Sequence, residues 1–435
     1  MSLEGGGVKG IAYGGVAMAL EQIDFLDHIE GFSGSSAGSQ AAALLAAGYT
    51  GRELMEELVS MDFNSLLDSA TTSNSNNMFS VTNPLDDLKG LIEKFGWFKG
   101  EVLEREIDRL IEKKTKLKGT TFKQLLEFNG KRLRVTATCV TTQRLLWLDA
   151  ESYPDMPISK AVHASSAIPF FFQPVSYDGL LLVDGGCIRN LPHDAFQGNA
   201  GSMLALSLRH GGADLKALEN RNITSLLEFS SQLAETLLFG PDSANSLTMM
   251  KADDNEKLDL ISIDYGTVGT VDFGLSQVRK LWLVEQGWNA TANRLSECRG
   301  KVIPPPPWFI QMKHSAERLS EIENEKELPD EIKKGLDDVK ASLDAFALDF
   351  EACMHSKSDV AQCGLQAGKG VVDGGILEVL RDLAKLIMRD KRVIGVMVLL
   401  FGGSMGILAF ALIGWKTWRG GREGPKKKNE KKKKI

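Results

Sequence analysis

The sequence predicts an α/β fold of three layers, followed by a helical C-terminal region and a single transmembrane helix. Three observations carry that prediction. Short apolar or β-branched runs alternate with segments of helical spacing over residues 1–300, four prolines interrupt the chain at Pro304–Pro307, and 23 uncharged residues run from Val393 to Trp415. Buried strands read as near-continuous apolar runs, so their alternation with amphipathic helices points to helices packed on a sheet.

Taken in order, the chain opens on Leu3–Gly10 (LEGGGVKG), a glycine cluster ahead of an apolar helical stretch. Phe25–Phe32 (FLDHIEGF) reads as a short strand, and the alanine-rich Ala37–Ala47 as a helix. Leu54–Leu67 and Leu88–Lys116 have helical spacing, the latter with Leu88, Leu91, Ile92 and Phe95 on one apolar stripe. Between them Thr71–Asn77 (TTSNSNN) is a polar loop. Leu133–Val140, Leu145–Leu148, Leu180–Val183 and Met203–Leu208 read as buried strands. No helix interior or central strand tolerates the proline run, so it marks a boundary. The expected parts are a body over 1–300, a Pro-rich linker and charged helical region over 301–390, and a membrane anchor with a basic tail over 391–435. In the middle part Ile376, Leu380, Leu383 and Ile387 would share one helix face.

Charge is unevenly placed. From Lys391 onward 12 Lys or Arg stand against two Glu, a balance of +10 that leaves −16 of the net −6 for residues 1–390. An acidic body with a basic terminal appendage argues against nucleic acid as the main partner. Cys139, Cys187, Cys298, Cys353 and Cys363 form no C-x-x-C pair, which suggests neither a zinc site nor a disulfide framework, and no metal or cofactor is expected. Met1–Leu3 runs directly into Glu4 and a glycine cluster instead of a basic segment followed by an apolar one, so no signal peptide is expected. The run from Val393 to Trp415 would span about 35 Å as a helix at about 1.5 Å per residue, and Arg389, Lys391 and Arg392 before it and Trp415, Lys416, Trp418 and Arg419 after it suit interfacial anchors. The simplest topology keeps the body cytosolic and carries the short tail across. Gly402 and Gly406 have the spacing that lets two such helices approach closely, although glycine is common in membrane helices in any case.

The chemistry begins at Gly31–Gln40 (GFSGSSAGSQ). A serine before a helix is an ordinary N-cap, but strand, tight turn and helix is also the setting of a nucleophile elbow, in which small Gly34 and Gly38 let the chain bend and lift Ser36 to the tip. The helix then aims its dipole and the Ala37 N–H at an oxyanion. Gly5, Gly6, Gly7 and Gly10 offer a second set of backbone donors, since backbone without side chains approaches a reacting carbonyl closely. Gly5, Gly7 and Gly10 also match a dinucleotide fingerprint, with Asp27 or Glu30 about 20 residues on, but that reading leaves the serine elbow unexplained. A base for Ser36 is offered by Leu180–Pro192, where a strand delivers Asp184 to a Gly185-Gly186 turn and partial burial would raise the carboxyl toward a useful pKa.

Together these pieces resemble the patatin-like phospholipases. Gly5–Gly10 (GGGVKG) is similar to that family's oxyanion-hole motif, Gly34–Gly38 (GSSAG) to its serine elbow, Asp184–Gly186 (DGG) to its catalytic aspartate, and Ala164–Val175 (ASSAIPFFFQPV) to the stretch ahead of that aspartate. The resemblance covers about Met1–Leu208, with one departure: only Ser2–Glu4 precede the glycines where the family has a first strand. It implies a patatin-type α/β/α sandwich and hydrolysis of fatty acyl esters of phospholipids or other glycerolipids by a Ser36–Asp184 dyad, through an acyl-enzyme, without histidine or metal. Lys9 would add charge near a phosphate or else face solvent, and Phe170, Phe171 and Phe172 would line an acyl pocket or pack in the core. Two other readings stay open at this point: a Ser-His-Asp esterase using His163 or His193, and a membrane-held lipid-binding or adaptor protein without turnover.

Overall fold

The computed structural model describes residues 1–68, 92–196, 202–209, 258–300 and 303–324, with single positions between 223 and 236. The chain divides into two compact units, Met1–Pro307 and Trp308–Ile435. The polar tract 71–77, the helical region beyond 324, the apolar run 393–415 with Gly402 and Gly406, and the basic tail all lie outside the described residues. Among the described residues no helix is long and apolar enough to cross a membrane.

The first unit is built on a mixed eight-stranded sheet. Its strands are β1 (Ser2–Leu3), β2 (Gly31–Gly34), β4 (Arg132–Cys139), β5 (Arg144–Asp149), β7 (Val175–Tyr177), β8 (Leu180–Asp184), β9 (Met203–Arg209) and β10 (Leu258–Asp264). A separate parallel pair joins β3 (Gly96–Phe98) to β6 (Phe170–Phe172). Strands β10, β9, β1, β2 and β4 run parallel, whereas β5, β8 and β7 join antiparallel. The short β1 is nonetheless central, with Leu3 paired to Gly34 on one side and Leu206 on the other. Two backbone bonds extend that pairing, Ser33 N–H to Met1 O and Glu4 N–H to Leu206 O.

The register of β4 sets the site. Its residues 134–139 pair with β5 along one edge, so β2 (opposite 132–135) and β8 (opposite 137–139) must share the other edge. They approach head to head: Gly34 stands opposite Val135 and Asp184 opposite Ala137, two residues apart along β4, about 7 Å of strand.

The helices are α1 (Ala12–Glu21), α2 (Ala37–Ala46), α3 (Gly51–Ser60), α4 (Glu101–Thr115), α5 (Phe122–Asn129), α6 (Ile158–Ser165), α7 (Gly186–Arg189), α8 (Gln277–Arg299) and α9 (Pro307–Asn324). Helix α2 lies on β1, β2 and β4, and α6 on β4 and β8. Helices α1 and α8 cross backbone to backbone, because a Cβ at Gly15 would stand 1.8 Å from Val284 O and one at Gly287 1.9 Å from Ala12 O. Helix α3 carries a capping box between Thr50 and Glu53.

Several elements depart from the sequence expectation. Only Gly31–Gly34 is strand; Leu26–His28 before it is a 3-10 turn. The helix read over Leu88–Lys116 is broken by β3, and α4 starts at Glu101. Its cap comes from a distance, Asp68 accepting from Gly100 N–H at 2.6 Å and Val102 N–H at 3.0 Å. Ile92 and Phe95 are exposed rather than part of a buried stripe.

Candidate active site

Ser36 sits between β2 and α2 with φ +49 and ψ −127, a conformation L residues rarely adopt. Its hydroxyl does not cap α2, so the N-cap reading of this serine fails. The bend is possible because neighbours are missing side chains: a Cβ at Gly34 would meet Gly38 O at 2.3 Å, and one at Gly38 would meet Leu3 O at 2.3 Å. The Ser36 N–H is held by Ser165 Oγ at 2.9 Å. Strain of this kind survives where surrounding contacts over-determine it.

Asp184 ends β8, fully buried. Its backbone N–H donates to Ala167 O at 2.9 Å, and the next residue, Gly185, donates to Ser165 O at 3.2 Å, so the Ser165–Ala167 segment braces both ends of the site. Gly186 N–H donates to Asp184 Oδ1 at 2.7 Å. Burial pushes the carboxyl up to about 7, opposed by the Gly186 N–H and by the Ser36 hydroxyl, which lies close enough to favour the charged form. Oδ2 makes no direct hydrogen bond in this resting state. Gly185 has no room for a side chain, since a Cβ there would stand 2.3 Å from Thr136 Oγ1.

The glycine loop leaves β1 at the same end of the sheet as the serine leaves β2. A Cβ at Gly5 would lie 3.0 Å from Ser36 Cβ, and one at Gly10 2.9 Å from Ala37 Cβ. Among the described residues the N–H groups of Gly6, Gly7 and Ala37 donate to no protein acceptor, whereas those of Gly5 and Val8 are taken by Asn190 O and Thr270 O. Three open donors beside a serine hydroxyl can hold a developing oxyanion. The carboxylate of Glu4 is directed away from the serine, accepting from Ser207 Oγ at 2.8 Å and Leu208 N–H at 2.7 Å; burial raises its pKa.

Lys9 does not face solvent. It is buried, with Nζ donating to Thr270 Oγ1 at 3.0 Å and lying 4.1 Å above the Tyr265 ring. Of the three phenylalanines, Phe171 and Phe172 are buried and pack against half-buried Phe98 and Phe273, while Phe170 is exposed. Neither histidine bonds to the Ser36 or Asp184 side chain. His163 is taken by Glu104 at 2.7 Å and Lys99 O at 3.1 Å, and His193 Nδ1 by Leu191 O at 3.1 Å.

Sequence reasoning missed Asn190, Ser165 and Thr270. Asn190 brackets Gly5, accepting its N–H at 3.0 Å and donating from Nδ2 to its carbonyl at 3.3 Å. A serine at the last position of a helix and an Asn after a glycine turn carry no local signal for such long-range bonds.

Residues 1–196 match the family model described as patatin-like phospholipase. The uncharacterized protein R571 of Acanthamoeba polyphaga mimivirus is 32% identical over 226 residues, 51% of this chain and 69% of that protein. A protein described as "Probable lipid hydrolase 463L", from Invertebrate iridescent virus 6, is 29% identical over 192 residues, 44% of this chain and 61% of that one. Among solved structures, VipD from Legionella pneumophila aligns at 17% identity and a TM-score of 0.44, covering 97% of this chain and 92% of VipD. The chain belongs to the patatin-like phospholipase family. Its fold is the patatin-like α/β fold with a mixed sheet and helices.

Proposed function

We propose that the protein is a membrane-anchored lipid acyl hydrolase that cleaves fatty acyl esters of phospholipids or other glycerolipids with Ser36 as nucleophile and Asp184 as its base. One observation carries the reading: the left-handed elbow brings the Ser36 hydroxyl beside a fully buried carboxyl whose pKa has been pushed to about 7, next to open backbone donors. A carboxylate with a pKa near neutrality is matched to proton transfer at physiological pH.

As Ser36 Oγ attacks the ester carbonyl carbon, its proton passes to Asp184 Oδ2, the oxygen left without a hydrogen bond at rest. The negative charge on the former carbonyl oxygen is held by the N–H groups of Gly6, Gly7 and Ala37 at the positive end of α2. Collapse expels the alcohol, which takes the proton back from Asp184 and leaves Ser36 acylated. Water then gives its proton to Asp184 and attacks the acyl carbon; the same proton returns to Ser36 as the fatty acid leaves. No histidine takes part. The run Val393–Trp415 holds the catalytic unit on the cytosolic side of a membrane.

The test is fatty acid release from phospholipid and from neutral lipid dispersions by the wild type, Ser36→Ala and Asp184→Asn. Both variants should lose at least 1,000-fold in turnover, about 4 kcal/mol of transition-state stabilisation. Equal release by all three removes the enzyme reading.

A further inference from the structure

Lys9 raises a question that the proposed chemistry does not answer. A buried ammonium is expensive unless it is paired and hydrogen-bonded. This one stands two residues after Gly7, and its end is met by Thr270 Oγ1 and the face of Tyr265. Both belong to the loop that follows β10, beyond the residues that match the family model.

Thr270 touches three consecutive residues of the glycine loop. Its carbonyl accepts from Val8 N–H at 3.1 Å, its hydroxyl accepts from Lys9 Nζ at 3.0 Å, and a Cβ on Gly7 would stand 2.0 Å from its carbonyl oxygen. Gly7 itself has φ +56, so the loop turns through a left-handed residue at the point where Thr270 presses on it. The loop bearing Thr270 is braced in turn. Tyr265 N–H donates to Arg209 O at 3.1 Å, Arg279 of α8 donates to Thr267 Oγ1 at 3.0 Å, and Phe273 packs on Phe171 with ring centroids 5.6 Å apart. Asn190 holds the other side of the glycine loop through Gly5, which leaves Gly6 and Gly7 suspended between two clamps with their N–H groups open.

We infer that Thr270 is a positioning residue for the acyl transfer: its hydroxyl, through buried Lys9, fixes the path of the glycine loop so that the Gly6 and Gly7 N–H groups meet the oxyanion. The inference rests on the hydrolase reading above. It extends the working site to a segment about 230 residues from Ser36 in sequence. Preorganised donors stabilise the transition state only when held in place before the charge develops, so a loosened loop costs turnover and leaves substrate affinity largely alone.

The test compares Thr270→Val, which keeps the shape and loses the hydroxyl, with Thr270→Ser, which keeps the hydroxyl, in the full chain. With a soluble monomeric aryl ester, Thr270→Val should lower kcat about 10- to 100-fold with KM within about threefold, and Thr270→Ser should return kcat to within about threefold of wild type. Amide hydrogen exchange over residues 6–10, measured without substrate, should quicken in Thr270→Val and not in Thr270→Ser. Unchanged exchange in Thr270→Val overturns the clamp, as does a kcat equal to wild type or a loss shared by Thr270→Ser. An inactive wild type whose exchange still responds to Thr270→Val leaves the clamp standing and sinks the hydrolase reading alone.

Discussion

Gly34 and Asp184 end two strands that run toward each other along one edge of β4, opposite Val135 and Ala137. The elbow begins at the first and the carboxylate hangs from the second. Their meeting is therefore a property of sheet register, and loop contacts such as Ser165 to both Ser36 and Gly185 only refine it.

Burying an ionisable carboxyl there has a pH signature. The folded pKa of Asp184 is about 7, against an ordinary carboxyl value near 4. Activity needs the carboxylate, so kcat/KM for a neutral ester should climb tenfold per pH unit on the acid side and level off above about pH 7. Stability runs the other way. Between about pH 4 and pH 7 the folded protein holds a proton that the unfolded chain has lost, so this group's contribution falls as pH rises through that window. Asp184→Asn keeps an acceptor for Gly186 N–H and removes the buried charge. It should therefore raise Tm at pH 8 by several degrees relative to wild type, with little gain at pH 4. Thermal melts at the two pH values check the difference.

Ser36 stores strain of a separate kind. At φ +49 and ψ −127 glycine is at ease and serine is not, so Ser36→Gly should stabilise the fold by about 1 kcal/mol while turnover vanishes. Ser36→Ala keeps the Cβ penalty and should be equally inactive without that gain. Denaturant midpoints for the pair measure it; equal midpoints would mean the elbow carries no strain.

How far the sequence reached follows from the range of each interaction. The glycine loop, the serine elbow and the Asp184 turn were legible because close backbone approach demands glycine locally, and Ala37–Ala46 because alanine favours helix. What escaped depends on partners far along the chain. Lys9 reads as a charge near a phosphate or as a solvent-facing residue until its acceptor, Thr270, is found 261 positions away. Asp68 caps α4 from more than 30 positions upstream, which is why the helix boundary near Gly100 was misread. Strands β5 and β8 were legible as the apolar runs Leu145–Leu148 and Leu180–Val183, but their antiparallel direction was not, since a short buried run looks the same in either direction, and β7 escaped altogether.

The two histidines near Asp184 in sequence give a third prediction. His163 is buried between Glu104 and Lys99 O, and the contact holds the Glu104 carboxyl below the usual carboxylate range. Removing it with His163→Ala should lower stability by about 1–3 kcal/mol, the scale of a lost buried hydrogen-bonding partner. Turnover by the folded fraction should stay within about threefold of wild type, and His193→Ala should match wild type in both respects. Loss of kcat by 1,000-fold in either variant at full folding would reinstate a histidine base.

A last pair of substitutions separates crowding from backbone conformation. Gly38→Ala places a Cβ 2.3 Å from Leu3 O and 2.6 Å from Glu4 O, backbone atoms of the central strand that leads into the glycine loop. Helix α2 must then move off β1, disturbing Ser36 and the loop together. The expected cost is about 3 kcal/mol or more, with kcat falling further than the folded fraction explains. Gly48→Ala meets nothing within 4 Å but sits at φ +94, so it should cost about 1–2 kcal/mol through conformation alone and leave kcat untouched. Chemical denaturation with activity normalised to folded protein distinguishes the two; equal effects on kcat would mean that the packing of α2 on β1 does not set the geometry of the site.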